Sequence, residues 1–328
     1  MSTFFSNLYT TAEVYALYLW GLYKLDVYFD IDYLRWLAWL WYPIIISFLL
    51  PLMIIAFLYA SALFLHIYRL RHQLKDAYSQ DFWNGARKTL AALWDAQGYI
   101  WHGYEVIGLD KIPSEGPALL VYYHGAIPID IYYLIAKCIL HKNRQLQAVG
   151  DRFLFHIPGW KLLMEVFCVQ PGTVQSGIDL MKQGQLLAIA PGGVREAYFS
   201  DEFYGLQWGK RTGFAKIAVH AQVPIIPMFT QNCREAFRSL GLGKDWLRRI
   251  YERTRLPLVP IYGGFPVKMR TIIGDPIPYD PNLSVEQVAK KVHTSIESLI
   301  VQHQKVPGNI LRALLERLFT PKIYVQES

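Results

Sequence analysis

Cysteine and charged residues are both scarce in this chain of 328 residues. Its three cysteines, Cys138, Cys168 and Cys233, are far apart and form no CxxC pair, so we expect neither a disulfide framework nor a zinc site. Only 18% of the residues are charged, whereas 53% are hydrophobic, and the mean hydropathy is +0.17. This composition excludes a disordered chain and is unusual for a soluble enzyme. It indicates a membrane protein.

Several common catalytic and nucleotide-binding motifs are also absent. The sequence holds no GxSxG nucleophile elbow, no GxxxxGK[ST] phosphate loop, no GxGxxG after a strand and no HExxH metal motif. Hydrolases with a serine elbow, P-loop and dinucleotide enzymes and HExxH metalloproteases are therefore excluded. The remaining patterns imply neither a metal nor a redox cofactor.

Charge is unevenly distributed along the chain. The first 66 residues have a net charge of −2, whereas the remainder holds 31 Lys and Arg against 22 Asp and Glu, a net charge of +9. A basic body behind an apolar leader suits an anionic membrane surface or anionic substrates. Because no nucleic-acid-binding motif accompanies this charge, we expect no nucleic-acid partner.

Residues 36–68 contain no Asp, Glu, Lys or Arg. This region is long enough for one membrane-spanning helix, which needs about 20 apolar residues. Pro43 and Pro51 lie inside it, so a helical hairpin is an alternative to a single helix. Either arrangement makes residues 1–73 a membrane-anchoring segment.

Basic residues directly follow the apolar region, at Arg69, Arg71 and Lys75. By the positive-inside tendency, this flank is expected in the cytosol. Asn282 begins the only N-x-[ST] sequon, which could carry a glycan if the body of the chain were lumenal.

The body of the chain alternates strand-like and helix-like segments. Short apolar runs at 118–123, 185–190 and 223–229 have the length and boundaries of buried strands, and helical stretches near 172–182 and 209–221 separate them. Strands that alternate with helices predict an α/β core.

Amphipathic helices are predicted at both ends of this body, over residues 74–99 and 310–319. The second helix either packs on the core or lies on the bilayer. We therefore predict an α/β domain over residues 74–300, followed by a C-terminal amphipathic helix and tail over residues 301–328.

A histidine and an aspartate follow the first predicted strand. His124 lies on the loop that leaves the strand, and Asp130 comes near the start of a helix predicted over 131–140. If the carboxylate accepts a ring N–H of His124, it fixes the tautomer and stabilises the imidazolium. His124 can then take a proton from a substrate hydroxyl, which attacks an ester or thioester without a protein nucleophile. The alternative is a strand-end histidine and a helix N-cap aspartate.

A second candidate element follows the second strand. Gly192 and Gly193 would let backbone N–H groups approach a ligand, and Arg195 can bind a phosphate or carbonyl oxygen. The alternative is a plain glycine turn with a solvated Arg195–Glu196 pair. The third predicted strand, over residues 223–229, has a proline near each end, and we interpret it as a structural element and not as part of the site.

Four blocks along the body resemble the glycerolipid acyltransferase superfamily, which includes lysophosphatidate acyltransferases. They are Gly-x-x-x-Ile-Pro at 108–113, a His–Asp block at 124–130, Pro-x-Gly-x-Arg at 191–195 and Val-Pro-Ile-x-Pro at 223–227. Their order matches that of the family and covers roughly residues 75–280.

Two departures from the family pattern narrow the resemblance. Five residues, instead of the usual four, separate His124 from Asp130. Gly192 replaces the usual acidic residue, which gives Pro-Gly-Gly-x-x-Glu at 191–196. This variant is similar to the monoacylglycerol and diacylglycerol acyltransferase branch, which makes neutral lipids.

The resemblance implies a mixed sheet flanked by helices, and an enzyme of triacylglycerol synthesis in the endoplasmic reticulum membrane with its site facing the cytosol. An acyl group would pass from acyl-CoA or an acyl lipid to the hydroxyl of a mono- or diacylglycerol. Membrane lipids, the acylglycerol acceptor and the acyl donor are thus the expected partners, and no cofactor is implied. The alternatives are a lysophospholipid or glycerol-phosphate acceptor, and a non-catalytic lipid-binding protein.

The resemblance also assigns roles to individual residues. His124 would be the general base, with Asp130 orienting it. The residues expected at the substrate are Gly125, Gly192, Gly193, Arg195 and Glu196.

Overall fold

A computed structural model describes residues 13–24, 33–72, 83–241, 243–254 and 258–319. The chain divides into two compact units, residues 1–48 and 49–328. The first unit contains helix α1, over residues 13–24, and the beginning of the long helix α2, Tyr33–His72.

Helix α2 is one continuous helix of 40 residues, and it is not interrupted at Pro43 or Pro51. The hairpin alternative is therefore not formed within this helix. It contains a stretch, Arg35–Tyr68, that is long and apolar enough to cross a membrane. A helix of this length extends about 60 Å, roughly twice the thickness of the bilayer hydrocarbon. About half of α2 thus remains for other contacts.

The second half of α2 packs into the second unit. Ile54, Leu58, Ala62 and Leu65 recur at helical spacing, are buried, and join the hydrophobic core of that unit. The apolar side chains on the opposite side of the helix, such as Leu63, remain exposed. This part of α2 therefore has one face in the core and one apolar face outside it.

The described residues of the second unit include nine strands. They are β1 (Glu105–Ile107), β2 (Ala118–Tyr122), β3 (Leu146–Gly150), β4 (Val169–Pro171), β5 (Leu186–Ile189), β6 (Ile225–Gln231), β7 (Phe237–Ser239), β8 (Ile261–Gly263) and β9 (Arg270–Ile273). Seven form a sheet in the order β1-β9-β6-β2-β5-β3-β4, and β7 pairs with β8 separately. Because β9 runs antiparallel to β6 while the other pairs in the sheet are parallel, the predicted mixed sheet is confirmed.

Ten further helices accompany the sheet among the described residues. They are α3 (Asn84–His102), α4 (Ile129–Lys142), α5 (Trp160–Val166), α6 (Val174–Lys182), α7 (Gly193–Phe199), α8 (Gly213–Ala221), α9 (Cys233–Ala236), α10 (Lys244–Thr254), α11 (Val285–His303) and α12 (Ile310–Phe319). Helix α3 packs with α4, and α6 and α11 pack with α8.

The three predicted strands correspond to β2, β5 and β6, and the predicted helices near 172–182, 209–221 and 310–319 to α6, α8 and α12. The helix predicted over residues 74–99 corresponds to α3, which begins at residue 84. The first part of that prediction falls on residues 74–82, which lie outside the described residues. Helix α11 was not predicted. It runs through residue 300, where a domain boundary was expected.

The centre of the sheet positions the candidate site. Strand β2 is buried along its whole length between two parallel neighbours, as its continuous apolar sequence requires. Val121 pairs with Ile189 of β5, and Tyr122 pairs with Met228 of β6. The segments that follow these three strands therefore meet at one edge of the sheet, where α/β proteins commonly bind ligands.

Candidate active site

His124 leaves the carboxyl end of β2 as a half-buried side chain. Its Nδ1 lies 2.7 Å from the carbonyl oxygen of Gly125, which only accepts hydrogen bonds. Nδ1 is thus the protonated nitrogen, and the lone pair of Nε2 is free. Burial lowers the pKa of His124 below its ordinary value of 6.5, so the ring is neutral at pH 7. A neutral imidazole with a free Nε2 can accept a proton.

Asp130 is buried in the first turn of α4, and no hydrogen bond joins it to His124. Among the described residues, no group reaches either of its carboxylate oxygens with hydrogen-bonding geometry. Burial raises the pKa of Asp130 to about 6, and the nearby hydroxyl of Thr230 offsets this effect only in part. In this arrangement the Gly125 carbonyl, not Asp130, orients the ring of His124. The catalytic His–Asp pair stays a prediction.

Glu196 lies completely buried in α7 and links two parts of the site. Its Oε2 accepts the backbone N–H of His124 at 2.9 Å, and its Oε1 accepts the backbone N–H of Gln207 at 3.0 Å. Burial raises the pKa of Glu196 to about 7, although both N–H groups favour the ionised form. The alternative of a solvated Arg195–Glu196 pair is wrong, because this carboxylate is a buried acceptor for backbone groups.

The side chain of Glu196 leaves no space for a side chain at position 192, which explains the first glycine of the 191–196 block. A Cβ at Gly192 would lie 2.4 Å from both Cβ and Cδ of Glu196, closer than carbon atoms approach. Gly193 has a φ of +50°, a left-handed conformation that favours glycine. The guanidinium of Arg211 then donates to the carbonyl oxygens of Pro191, at 3.1 Å, and Gly192, at 2.8 Å. These two hydrogen bonds from Arg211 thus hold the Gly192–Gly193 turn through carbonyl oxygens.

Arg195 does not lie against His124 in this arrangement. Its guanidinium is 3.4 Å from Oε1 of Glu252 on α10, and it does not line the cavity beside His124. To bind the acyl donor, Arg195 would have to leave the carboxylate of Glu252 and contact the substrate instead.

A narrow cavity of about 110 Å³ lies beside His124. Most of its walls are apolar side chains from β2, α4, the β3 region and α7, among them Tyr122, Ile131, Tyr132, Leu154, Val194 and Tyr198. Among the side chains that the structure describes, the lining includes Asp151 but no Lys or Arg. A cavity of this character suits part of a fatty acyl chain beside the imidazole.

Sequence reasoning missed the buried Arg234 of α9. Its guanidinium donates to the carbonyl oxygens of Glu196, at 3.2 Å, and Ser200, at 2.8 Å, and to the hydroxyl of Tyr123, at 3.3 Å. It thereby ties the end of α7 to the residue before His124. A signal was present, because a charged residue comes three positions after the end of an apolar strand. Gly125 packs nearby, with its Cβ position 3.4 Å from Cβ of Cys233.

Comparison with known proteins agrees with this architecture. A family model described as Acyltransferase matches residues 103–231. The chain is 51% identical over 310 residues to the Homo sapiens protein "DGAT1/2-independent enzyme synthesizing storage lipids", covering 94% of each chain. It is also 51% identical over 308 residues to the Bos taurus protein of that name, covering 94% of this chain and 91% of that one.

The fold is similar to that of a solved structure, the 1-acyl-sn-glycerophosphate (LPA) acyltransferase PlsC from Thermotoga maritima. The TM-score is 0.54 and the identity is 18%, over 79% of this chain and 97% of that one. The resemblance drawn from the four sequence blocks is therefore confirmed.

Proposed function

This chain belongs to the glycerolipid acyltransferase family, and we propose that it transfers a fatty acyl group to the hydroxyl of a mono- or diacylglycerol. One observation carries the proposal: a neutral histidine with a free Nε2 lies beside a cavity whose walls are mostly apolar. The human and bovine relatives are named for storage-lipid synthesis, which agrees with a neutral-lipid product. Membership of an acyltransferase family sets aside the non-catalytic alternative.

In the proposed mechanism, Nε2 of His124 takes the proton of the acceptor hydroxyl. The acceptor oxygen attacks the carbonyl carbon of the donor ester or thioester and forms a tetrahedral intermediate. This intermediate collapses as the bond to the leaving oxygen or sulfur breaks, and the imidazolium returns the proton to that leaving group. The Gly125 carbonyl holds Nδ1–H, and the unpartnered carboxylate of Asp130 is a second acceptor that substrate binding could bring into use.

The donor or the oxyanion is proposed to bind at the Gly192–Gly193 turn and Arg195. In the present arrangement the N–H of Gly193 donates to Ala190 and Arg195 contacts Glu252. Donor binding would therefore rearrange the start of α7. The acyl donor would be acyl-CoA or an acyl lipid.

A neutral acceptor is favoured over a lysophospholipid or glycerol phosphate. The described side chains that line the cavity beside His124 include no Lys or Arg, and the nearby Arg195 is paired with a carboxylate. The described lining thus offers a phosphate no cation to stabilise it. Supplying each acceptor to one preparation separates the two possibilities.

The decisive experiment uses purified full-length protein in phosphatidylcholine vesicles with a labelled acyl donor. The wild type should form labelled triacylglycerol from diacylglycerol, and His124→Ala should form none. His220→Ala, which changes an exposed histidine on α8, is the matched control and should keep full activity. Labelled product from His124→Ala would refute the mechanism. Product that forms with lysophosphatidate but not with diacylglycerol would refute the proposed neutral acceptor.

We also propose that α2 anchors the chain in the endoplasmic reticulum membrane, with the acyltransferase domain on the cytosolic side. The apolar stretch Arg35–Tyr68 and the basic residues that follow it support this orientation. Asn282 provides the test, since it is exposed in a sequon whose Ser284 caps α11. A cytosolic domain predicts no change in gel mobility on glycosidase treatment of cell-expressed protein, whereas a shift that Asn282→Gln abolishes would contradict it.

A further inference from the structure

A second cavity lies between the second half of α2 and helix α3. It has a volume of about 360 Å³, within the range typical of small-molecule sites. Its walls are mostly apolar side chains of the two helices, among them Met53, Phe57, Leu93 and Ile100, and it is closed at one side by Gly264. A Cβ at Gly264 would lie 2.6 Å from Cβ of Leu50, so the chain passes directly against α2 there.

Two polar groups of this cavity already have partners within the protein. The amide oxygen of Gln97 accepts the hydroxyl of Tyr133, and Nε1–H of Trp101 donates to the carbonyl oxygen of Gly264 at 2.8 Å. Within the described part of the chain, no Asp, Glu, Lys, Arg or His lines the cavity. An occupant with a charged or strongly polar body would lose its hydration without compensation. The cavity therefore suits an apolar ligand.

The surroundings of the cavity indicate where that ligand comes from. Three of its lining side chains, Met53, Leu93 and Ile100, are also exposed at the surface, by 59%, 46% and 70%. They lie on α3 and on the helix that contains the candidate membrane span. An opening bordered by exposed apolar side chains suits the hydrocarbon of a bilayer, where the abundant ligand is a fatty acyl chain.

Only one side chain separates the walls of the two cavities. The ring of Phe57, in the wall of the second cavity, meets Trp94 edge-on with centroids 4.7 Å apart. Trp94 in turn stacks on Tyr132 at 5.2 Å, and Tyr132 lines the cavity beside His124. The cavity that faces the bilayer is thus adjacent to the site of acyl transfer.

We propose that the cavity between α2 and α3 binds one acyl chain of the acylglycerol acceptor. The inference rests on the proposed function, because an acylglycerol acceptor drawn from the bilayer brings such a chain to the site. Binding there would hold the acceptor next to the domain while its hydroxyl reacts.

The test is photocrosslinking of full-length protein in phosphatidylcholine vesicles without an acyl donor. The probe is a diacylglycerol that carries a diazirine at the end of one acyl chain, and mass spectrometry maps its adducts. We expect adducts on residues 50–57 and 93–101 that excess unlabelled diacylglycerol lowers at least fivefold. A phosphatidylcholine with the same diazirine reports the background labelling by bilayer lipids.

Two alanines of α3 provide matched variants. Both are exposed, but only Ala96 lines the cavity. Ala96→Trp should lower the competed adducts at least fivefold and raise KM for diacylglycerol with little change in kcat, whereas Ala92→Trp should alter neither. Adducts that diacylglycerol does not compete, or that both variants lower equally, would overturn the inference. Since crosslinking needs no turnover, competed adducts without triacylglycerol synthesis would instead refute the proposed function alone.

Discussion

The backbone N–H of His124 donates to Oε2 of Glu196 at 2.9 Å. Two segments that are far apart in sequence meet in this contact, because they follow the neighbouring parallel strands β2 and β5. The proposed base is thus held through its main chain by a buried carboxylate, while the Gly125 carbonyl orients its ring. A positioning role for Glu196 follows.

Replacing Glu196 should weaken both folding and catalysis. Glu196→Ala leaves the N–H groups of His124 and Gln207 without their acceptor, at a cost of about 1–3 kcal/mol each. Glu196→Gln keeps one acceptor oxygen, so we expect kcat and Tm to fall in the order wild type, Gln, Ala. Glu165→Ala, at an exposed position on α5, is the control. A Glu196→Ala variant with wild-type kcat and Tm would exclude the positioning role.

The pH dependence of stability gives a second measure of Glu196. Its pKa is about 7 in the fold and 4.5 ordinarily, so between these values the folded state holds a proton that the unfolded state has lost. Stability therefore falls as pH rises through this window, by an amount on the order of 3 kcal/mol. The Tm of Glu196→Gln should decline less than that of the wild type between pH 4.5 and 7. Parallel Tm curves for the two proteins would show that this carboxyl does not titrate there.

A methyl group at Gly192 should disrupt the site, although its φ suits any residue. The added Cβ would overlap Glu196 and displace the carboxylate from His124. We expect Gly192→Ala to lower kcat at least tenfold and to lower Tm by several degrees. Gly205→Ala places its methyl in open space and should change neither quantity. Equal activity in the two variants would mean that Glu196 can move without consequence.

The role of Asp130 can be decided by replacing it with asparagine. If the Gly125 carbonyl alone orients His124, Asp130→Asn should keep kcat within about tenfold of the wild type. If Asp130 accepts Nδ1–H during the reaction, the loss should approach the roughly 10⁴-fold effect of removing a triad carboxylate. We expect the smaller loss, because no hydrogen bond joins the two residues. Single-turnover rates with a labelled donor measure the difference.

The pH profile of activity should show an acid limb below pH 6.5. Burial lowers the pKa of His124, so the ring stays neutral, and able to accept a proton, down to that lowered value. We expect kcat/KM for diacylglycerol to be constant from pH 7 to 8 and to fall only below 6.5. The pKa of Asp130, about 6, falls in a similar range. Asp130→Asn should therefore keep the limb, and its disappearance in that variant would assign it to the carboxylate.

The sequence was sufficient for the centre of the sheet but not for its edges. Strands β2, β5 and β6 are continuous apolar runs with clear boundaries, and so they could be located. The edge strands β1 and β4, like β7 and β8 of the separate pair, have three residues each, too few for a recognisable period.

For the site, the sequence located the segments but not their contacts. The spacing of His124 and Asp130 does not determine which acceptor the ring selects, and here the Gly125 carbonyl is closer. The partner of Arg195 lies on α10, which local patterns do not connect to α7. The acceptor function of Glu196 depends on the pairing of β2 with β5.

Helix α2 supplies buried side chains to the second unit, and this affects how the enzyme can be cut and made. A truncation at residue 73 would remove Ile54, Leu58, Ala62 and Leu65 from the core, and burial of a leucine alone is worth about 1.5–3 kcal/mol. A fragment beginning there would expose the apolar surface that these residues cover and would aggregate. A soluble catalytic domain is thus not obtained by cutting off α2, and the core is complete only when this helix has formed.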